Sequence, residues 1–372
     1  MITKQAIREK ALALGLADIG FTGPEPFTAH EKELARRFDD YAWTLDKKIA
    51  LRDAVDPATV YPAVKSLIVV LSAYHSQAFP PSMLGKFGRC YINDDRVVRD
   101  GLSRQIKDLR DFLWANGVDS KVGVDVPNRA AAARAGVGTF GKNCMLYANR
   151  VMRGSSWVLP TVLLTDAAFE PDPPTEEVGC PDWCRNACIA ACPTGALKGP
   201  RHIRPAQCIS YLSYYGDDIT PLEYRERMGM WVFGCDRCQT VCVRNDAWMA
   251  QELTPYEQAA AQAQYFDLEF LLFMSEQEYQ EKVWPRMFYI SRRDMWHWKM
   301  NVARVMGNSR DESYVPLLIR AYHENDDARV LGMIAWALGR LGGDMARAAL
   351  TRWRDSAPAQ VKPEIEHALA QF

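Results

Sequence analysis

The strongest constraint on this chain lies between residues 180 and 242. The sequence there reads CPDWCRNACIAACPTGAL from 180, CISYL from 208 and CDRCQTVC from 235, so eight of the ten cysteines fall in one stretch. Thiols this dense either cross-link or bind metal, and the redox compartment decides between the two. The N-terminus, MITKQAIREKALALG, has apolar residues at helical spacing among charges and lacks the continuous apolar core of a signal peptide. No apolar run approaches the roughly 20 residues needed to cross a bilayer. The expected location is the cytoplasm, where thiols stay reduced, and the expected partner of the cysteines is metal.

Their spacing refines this. Two-cluster bacterial ferredoxins use C-x2-C-x2-C-x3-C-P, in which three thiolates on a tight loop hold three irons of a cube and the fourth cysteine ligates the other cluster. Here Cys192 is followed by Pro193, and eight cysteines suit two 4Fe–4S clusters with none left over. By that logic Cys180, Cys184, Cys188 and Cys242 bind one cluster, and Cys192, Cys208, Cys235 and Cys238 bind the other. One departure stands out: three residues, not two, separate Cys180, Cys184 and Cys188. Structural zinc is the alternative. Zinc sites commonly use paired C-x2-C units, and Cys235 with Cys238 is the single such pair here. Cys90 and Cys144 read as core residues. Two clusters imply one-electron transfer, and the rest of the chain should house what receives the electrons.

A chain of 372 residues is expected to hold two or three domains. A net charge of −1 excludes an overall nucleic-acid magnet but leaves room for a local basic face. Residues 7–14 and 17–21 read as helix then strand, SLIVVLSAY (66–74) as a buried strand, and 98–116 as an amphipathic helix. WVLPTVLL (157–164) reads as a strand in which Pro160 marks an edge or an irregularity. The acidic, Pro-rich loop 170–179 closes this first part. Towards the C-terminus, VARVMG (302–307) and IAWALG (334–339) repeat a small-apolar helix ending in Gly, offset by 32 residues. This fits helix pairs of the HEAT type, the alternative being an ordinary helical subdomain. The expected division is a mixed α/β domain at 1–175, a cluster module at 176–250 and an all-α region at 251–372.

Residues 135–144, AGVGTFGKNC, overlap two phosphate-loop patterns. Gly136, Gly138 and Gly141 satisfy G-x-G-x-x-G. Gly136, Gly141 and Lys142 begin G-x-x-x-x-G-K-[ST], but Asn143 stands where Ser or Thr should ligate magnesium. Either pattern needs a buried strand just before it. The alanine-rich run 130–135 has helix propensity instead, so the glycines should follow a helix.

The blocks together are specific. LRDAVDPATVYPAVKSLIVVLSAY (51–74), RAGVGTFGKN (134–143), CPTGAL (192–197), CISYLS (208–213), GCDRCQTVC (234–242), NVARVMGNS and IAWALGRLG occur in one order over nearly the whole chain. In this the chain resembles the epoxyqueuosine reductases, cobalamin-dependent iron–sulfur enzymes of tRNA queuosine synthesis related to reductive dehalogenases. The resemblance implies an α+β chain: a nitroreductase-like cobalamin-binding domain, an inserted two-cluster ferredoxin module and a C-terminal HEAT-like region. It implies electrons passing from a donor such as a flavodoxin or ferredoxin through two 4Fe–4S clusters to cobalamin, and then deoxygenation of the substrate to an alkene. For this chain it places cobalamin near Arg129, Gly136, Gly138, Gly141, Lys142 and Asn143, the glycines letting backbone N–H groups approach the cofactor.

The departures lie on the substrate side. The family's V-D-x-G-P-x-x-E-R block has an Asp, the expected proton donor, seven residues before an Arg. The Arg matches Arg129, but seven residues earlier stands Val122. Asp125 is the nearest acid and the candidate catalytic residue. The family's D-Y-H block also falters, since Asp95 is followed by Arg96 and Val97. These changes point to a divergent paralogue. Residues 281–310 carry Lys282, Arg286, Arg292, Arg293, Lys299, Arg304 and Arg310 against Glu281 and Asp294, with Trp284, Phe288, Tyr289, Trp296 and Trp298 interleaved. That is either a tRNA-binding segment, cations on phosphates and rings on bases, or packing of the helical tail with solvated charges. His75, His202, His297 and His367 lack metal-site spacing and read as satisfied histidines. Two other functions stay open: a cobalamin-dependent reductase or dehalogenase of a small organic substrate, and an electron-transfer or corrinoid-activating protein.

Overall fold

A computed structural model describes residues 2–49, 51–75, 77–99, 101–175 and 179–372, leaving aside the side chains of Asp53 and Asn93. The boundary expected at 175–176 adjoins residues 176–178, which lie outside the described residues, as does that part of the acidic loop. The chain forms two units. One comprises 1–77, 93–205 and 237–253, the other 78–92, 206–236 and 254–372.

The strands of the first unit that bear on the site are β1 (Asp18–Thr22), β2 (Ser66–Ala73), β3 (Ser120–Val122), β4 (Gly138–Phe140), β5 (Leu146–Ala148) and β6 (Val158–Thr165). Helices α1 (Lys4–Ala13), α2 (Leu102–Ala115) and α3 (Asn128–Arg134) accompany them. The apolar run of β2 is continuous because both its faces are covered. Leu67, Val69 and Leu71 pack with Ala131, Ala132 and Ala135 on the α3 side. Ile68 and Val70 pack with Ile7, Ala11, Ile106 and Leu109 from α1 and α2. Each Leu, Ile or Val among them contributes about 1.5–3 kcal/mol when fully buried. The sheet is antiparallel in the order β1-β2-β6-β3. Pro160 sits opposite Leu71, while β3 pairs only with residues 163–165. At Pro160 the far side of β6 is therefore an edge, where a missing N–H removes no ladder bond. The alanines of α3 allow close approach to the sheet: a Cβ on Gly20 of β1 would meet the Ala135 carbonyl oxygen at 2.3 Å.

A buried polar network holds residues 237–245 against one end of this sheet. The Tyr74 hydroxyl and the Ser156 hydroxyl both donate to Gln239 Oε1 at 2.9 Å. Asn245 Nδ2 donates to Ser156 Oγ and to the Gln239 carbonyl, and Ser156 N–H donates to Asn245 Oδ1. Each bond contributes about 0.5–1.5 kcal/mol. Leaving one partner buried and unpaired would cost more, so the segment bearing Cys238 and Cys242 is firmly placed.

The second unit is mainly helical, with α4 (Trp296–Ser309), α5 (Val315–His323), α6 (Ala328–Leu341), α7 (Asp344–Ser356) and α8 (Lys362–Leu369). The two sequence repeats lie in α4 and α6. Their glycines do not end helices, contrary to the reading from sequence; they sit inside them, at helix crossings. A Cβ on Gly307 would meet Ala337 Cα at 2.8 Å, and one on Gly339 would meet Ala368 Cα at 2.7 Å. Segments 78–92 and 206–236 belong to this unit because Phe79, Met83, Phe87, Val232 and Phe233 join its core. Arg225 pairs with Glu364 through two contacts of 2.6 Å. Among the described residues no helix is long and apolar enough to cross a membrane.

Candidate iron–sulfur centre

Within the first unit the structure gathers the first cysteine set. Cys180 and Cys184 lie on the loop leading to the short helix Ala187–Ala190, which Asn186 opens in the left-handed region (φ 61°). Cys188 is on that helix and buried. Cys242 follows the short helix Arg237–Thr240, which packs on the first one. Burial and the nearby Cys242, Cys184 and Cys180 push the Cys188 thiol up to about 11. Thiols this close repel one another once ionised, and a cation among them would relieve that repulsion. Thiolates of a cube each take a different iron, so they stand farther apart than ligands of one ion. Among the described residues no three donors are close enough to chelate a single ion.

The stretch AGVGTFGKNC follows helix α3, as its alanines imply, and its end lies against these thiols. Lys142 N–H donates to Cys180 Sγ at 3.2 Å, and Lys142 Nζ to the Cys184 carbonyl at 3.2 Å. Asn143 Nδ2 donates to the Tyr147 hydroxyl and to the Cys238 carbonyl, both at 3.0 Å. The Tyr147 hydroxyl in turn donates to Cys242 Sγ at 3.1 Å. Burial first, and then Cys242, drive the Tyr147 phenol far above its ordinary range, so it stays protonated and can donate. Arg244 caps the group: its guanidinium lies 4.6 Å from the Tyr147 ring centroid and donates to the Gly179 carbonyl.

The glycines here answer to the chain's own packing. Gly136 has φ +70°, and a Cβ on it would meet the Pro173 carbonyl oxygen at 2.3 Å. On Gly138 it would meet Leu146 Cδ1 at 2.8 Å, and on Gly141 Tyr147 Cε2 at 2.2 Å. The absence of a Cβ at Gly138 and Gly141 thus leaves room for Leu146 and Tyr147 across the β4–β5 hairpin, whose fit brings Tyr147 to Cys242. Tyr147 and Arg244 were not singled out from sequence. Tyr147 is five residues beyond Lys142, and only the hairpin makes that spacing meaningful.

The second cysteine set is divided between the units: Cys192 and Cys238 belong to the first, Cys208 and Cys235 to the second. Cys208 precedes the helix Ile209–Tyr214. Beside Cys235, Gly234 adopts φ +69°, where a Cβ would meet Tyr91 Cε2 at 2.1 Å, and its N–H donates to Ser213 Oγ. Asp236 accepts a bond from Arg89 N–H, and burial raises its carboxyl to about 6.

On the substrate side, Val122 ends β3 and packs into the α1–α2 side of the core. Asp125 is exposed on the loop between β3 and α3. Arg129 is exposed and donates to the Cys144 carbonyl at 3.2 Å. Nearer the sheet end, Ser72 Oγ and Trp157 Nε1 are buried donors without a hydrogen-bond partner among the described residues. The basic–aromatic segment proves divided. Arg304 is fully buried, donates to the Gly229 and Trp231 carbonyls, and is pushed down to about 9 by that burial. Trp298 stacks on Phe233 with centroids 5.0 Å apart. Arg292 and Arg293 stay exposed, Arg292 over the Trp284 ring at 3.9 Å. Of the histidines, His297 bonds the Gly216 carbonyl and His202 approaches Asp40 at 3.9 Å.

Residues 181–245 match the 4Fe-4S double cluster binding domain, and residues 292–370 match HEAT repeats. The epoxyqueuosine reductase of Bacillus subtilis is 29% identical, the alignment covering 98% of this chain and 94% of that one. A solved structure of the B. subtilis enzyme, with an aspartate-bearing catalytic loop swung out of the active site, superposes with TM-score 0.82 at 27% identity, covering 99% and 98% of the two chains. An epoxyqueuosine reductase solved with an epoxyqueuosine-modified tRNA-Tyr stem loop superposes with TM-score 0.78 at 26% identity, covering 99% and 98%. Likeness of sequence and of fold to epoxyqueuosine reductases is thus sustained over nearly the full length of this chain.

Proposed function

We propose that the chain is a cytoplasmic, cobalamin-dependent, two-cluster reductase acting on epoxyqueuosine in tRNA. The observation that carries the reading is the gathering of Cys180, Cys184, Cys188 and Cys242, with Lys142 and Tyr147 hydrogen-bonded to two of them, in a chain similar to epoxyqueuosine reductases over nearly its whole length. We assign those four thiolates to one 4Fe–4S cluster and Cys192, Cys208, Cys235 and Cys238 to the other. When bound, the clusters and cobalamin supply one-electron delivery and a reduced cobalt. The unpaired donors of Ser72 and Trp157 fit a ligand rich in amide carbonyls, as a corrin is. Arg129 offers an exposed cation on the same unit.

Converting an epoxide to an alkene takes two electrons and two protons and releases water, so the protein must deliver protons. Asp125 is the acid we assign to this task. Its exposure on a loop suits a group that closes over its substrate, as the swung-out loop of the B. subtilis enzyme illustrates. For tRNA, the relative solved with a stem loop supports a nucleic-acid substrate. We narrow the binding segment within 281–310 to its exposed cations, Arg292 and Arg293, since Arg304 and Trp298 are core. The electrons come from a small donor such as a flavodoxin or ferredoxin.

The test is anaerobic reconstitution with iron, sulfide and cobalamin, followed by digestion of epoxyqueuosine-containing tRNA and nucleoside mass spectrometry. Queuosine should appear in step with enzyme. Fully loaded protein without turnover would overturn the tRNA reading in favour of a small organic substrate, and failure to retain corrinoid would favour an electron-transfer protein.

A further inference from the structure

Cys242 is approached by something other than a backbone amide. The Tyr147 phenol donates to its Sγ at 3.1 Å from an almost fully buried position. A phenol can rotate its proton towards several acceptors, but here the choice is made for it. Asn143 Nδ2 donates to the phenol oxygen at 3.0 Å and is itself held at the Cys238 carbonyl at 3.0 Å, while Asn143 Oδ1 accepts from Met145 N–H. With its oxygen already accepting from Asn143, the phenol's one proton is directed at sulfur. The Arg244 guanidinium over the ring adds a fixed positive charge on the same side.

A donor aimed at a thiolate sulfur stabilises the more negative, reduced cluster more than the oxidised one, and so does a neighbouring cation. We propose that Tyr147 is a positioning residue that raises the reduction potential of the cluster held by Cys180, Cys184, Cys188 and Cys242, with Asn143 orienting its hydroxyl. This rests on the cluster assignment above. It gives the β4–β5 hairpin, and with it AGVGTFGKNC, a redox task within the electron path.

The experiment is an anaerobic redox titration of the reconstituted full chain, followed by EPR, on wild type, Tyr147→Phe, Asn143→Leu and the double variant. Cys242→Ala identifies which midpoint belongs to this cluster, because that variant should lose it. Tyr147→Phe removes one oxygen and keeps the ring. At undiminished iron content, its midpoint for this cluster should move to a more negative potential while the other cluster's stays. Asn143→Leu should shift it the same way by less, and the double variant no further than Tyr147→Phe alone. In deuterium oxide, an exchangeable proton coupled to the reduced cluster should be lost in Tyr147→Phe. An unchanged or raised midpoint, equal movement of both clusters, or loss of about half the iron in Tyr147→Phe would overturn the proposal. Wild-type protein that builds no cubes would instead overturn the assignment beneath it.

Discussion

Gly141 shows how much a single methyl group decides here. A Cβ would meet Tyr147 Cε2 at 2.2 Å, so Gly141→Ala must displace the ring that reaches Cys242. We expect the variant to fold and keep its iron but to move the midpoint of the Cys242 cluster to a more negative potential, checked by redox titration beside iron per chain. Gly138→Leu should act similarly, because Leu146 and the Tyr147 carbonyl occupy the space. At Asp125, replacement by Asn should slow turnover by about 10²–10⁴-fold, the usual range for a proton-transfer group, with iron and corrinoid loading unchanged in single-turnover assays. Unchanged rates would remove Asp125 from the mechanism. The cysteines stand out by their spacing along the chain; Lys142 and Asn143 stand out only as part of an apparent phosphate loop, which says nothing of their hydrogen bonds to Cys180 and Tyr147. What the glycines are for could not be picked out either, since the atoms they avoid, in Pro173, Leu146 and Tyr147, come from elsewhere in the fold.

At the scale of elements, legibility followed periodicity. The β2 strand announces itself through SLIVVLSA, and α2 through its apolar stripe. Strands β4 and β5 have three residues each, too few for a pattern, and the glycines in and beside β4 mimic a phosphate loop. The repeats VARVMG and IAWALG were visible, yet their glycines lie at crossings that only packing reveals. Replacing Gly339 with Val drives a side chain into the Ala368 backbone, so helices α6 and α8 must part. We expect a loss of about 1–3 kcal/mol in denaturant unfolding. Glu364→Ala leaves Arg225 buried without its carboxylate and should cost about 3–5 kcal/mol. Replacing both partners with apolar residues should recover much of that loss.

For the whole molecule, the sequence suggests three consecutive domains, whereas the structure interleaves two units. Segments 78–92 and 206–236 join the helical core through Phe87, Val232 and Phe233, long-range contacts that no local pattern encodes. With a net charge of −1, any tRNA binding must come from local cations. Arg292→Ala with Arg293→Ala should weaken tRNA binding and lower the salt slope by about two, measured by titration at several salt concentrations. Equal affinity and slope would move the tRNA surface elsewhere. Electron delivery by this chain depends on the eight clustered cysteines holding two cubes. The direct measurement is iron and acid-labile sulfide per chain in anaerobically reconstituted protein, alongside its Cys242→Ala variant. Two cubes require about eight of each in the parent and about four in the variant. About four in the parent, or zinc in place of iron, would contradict that arrangement.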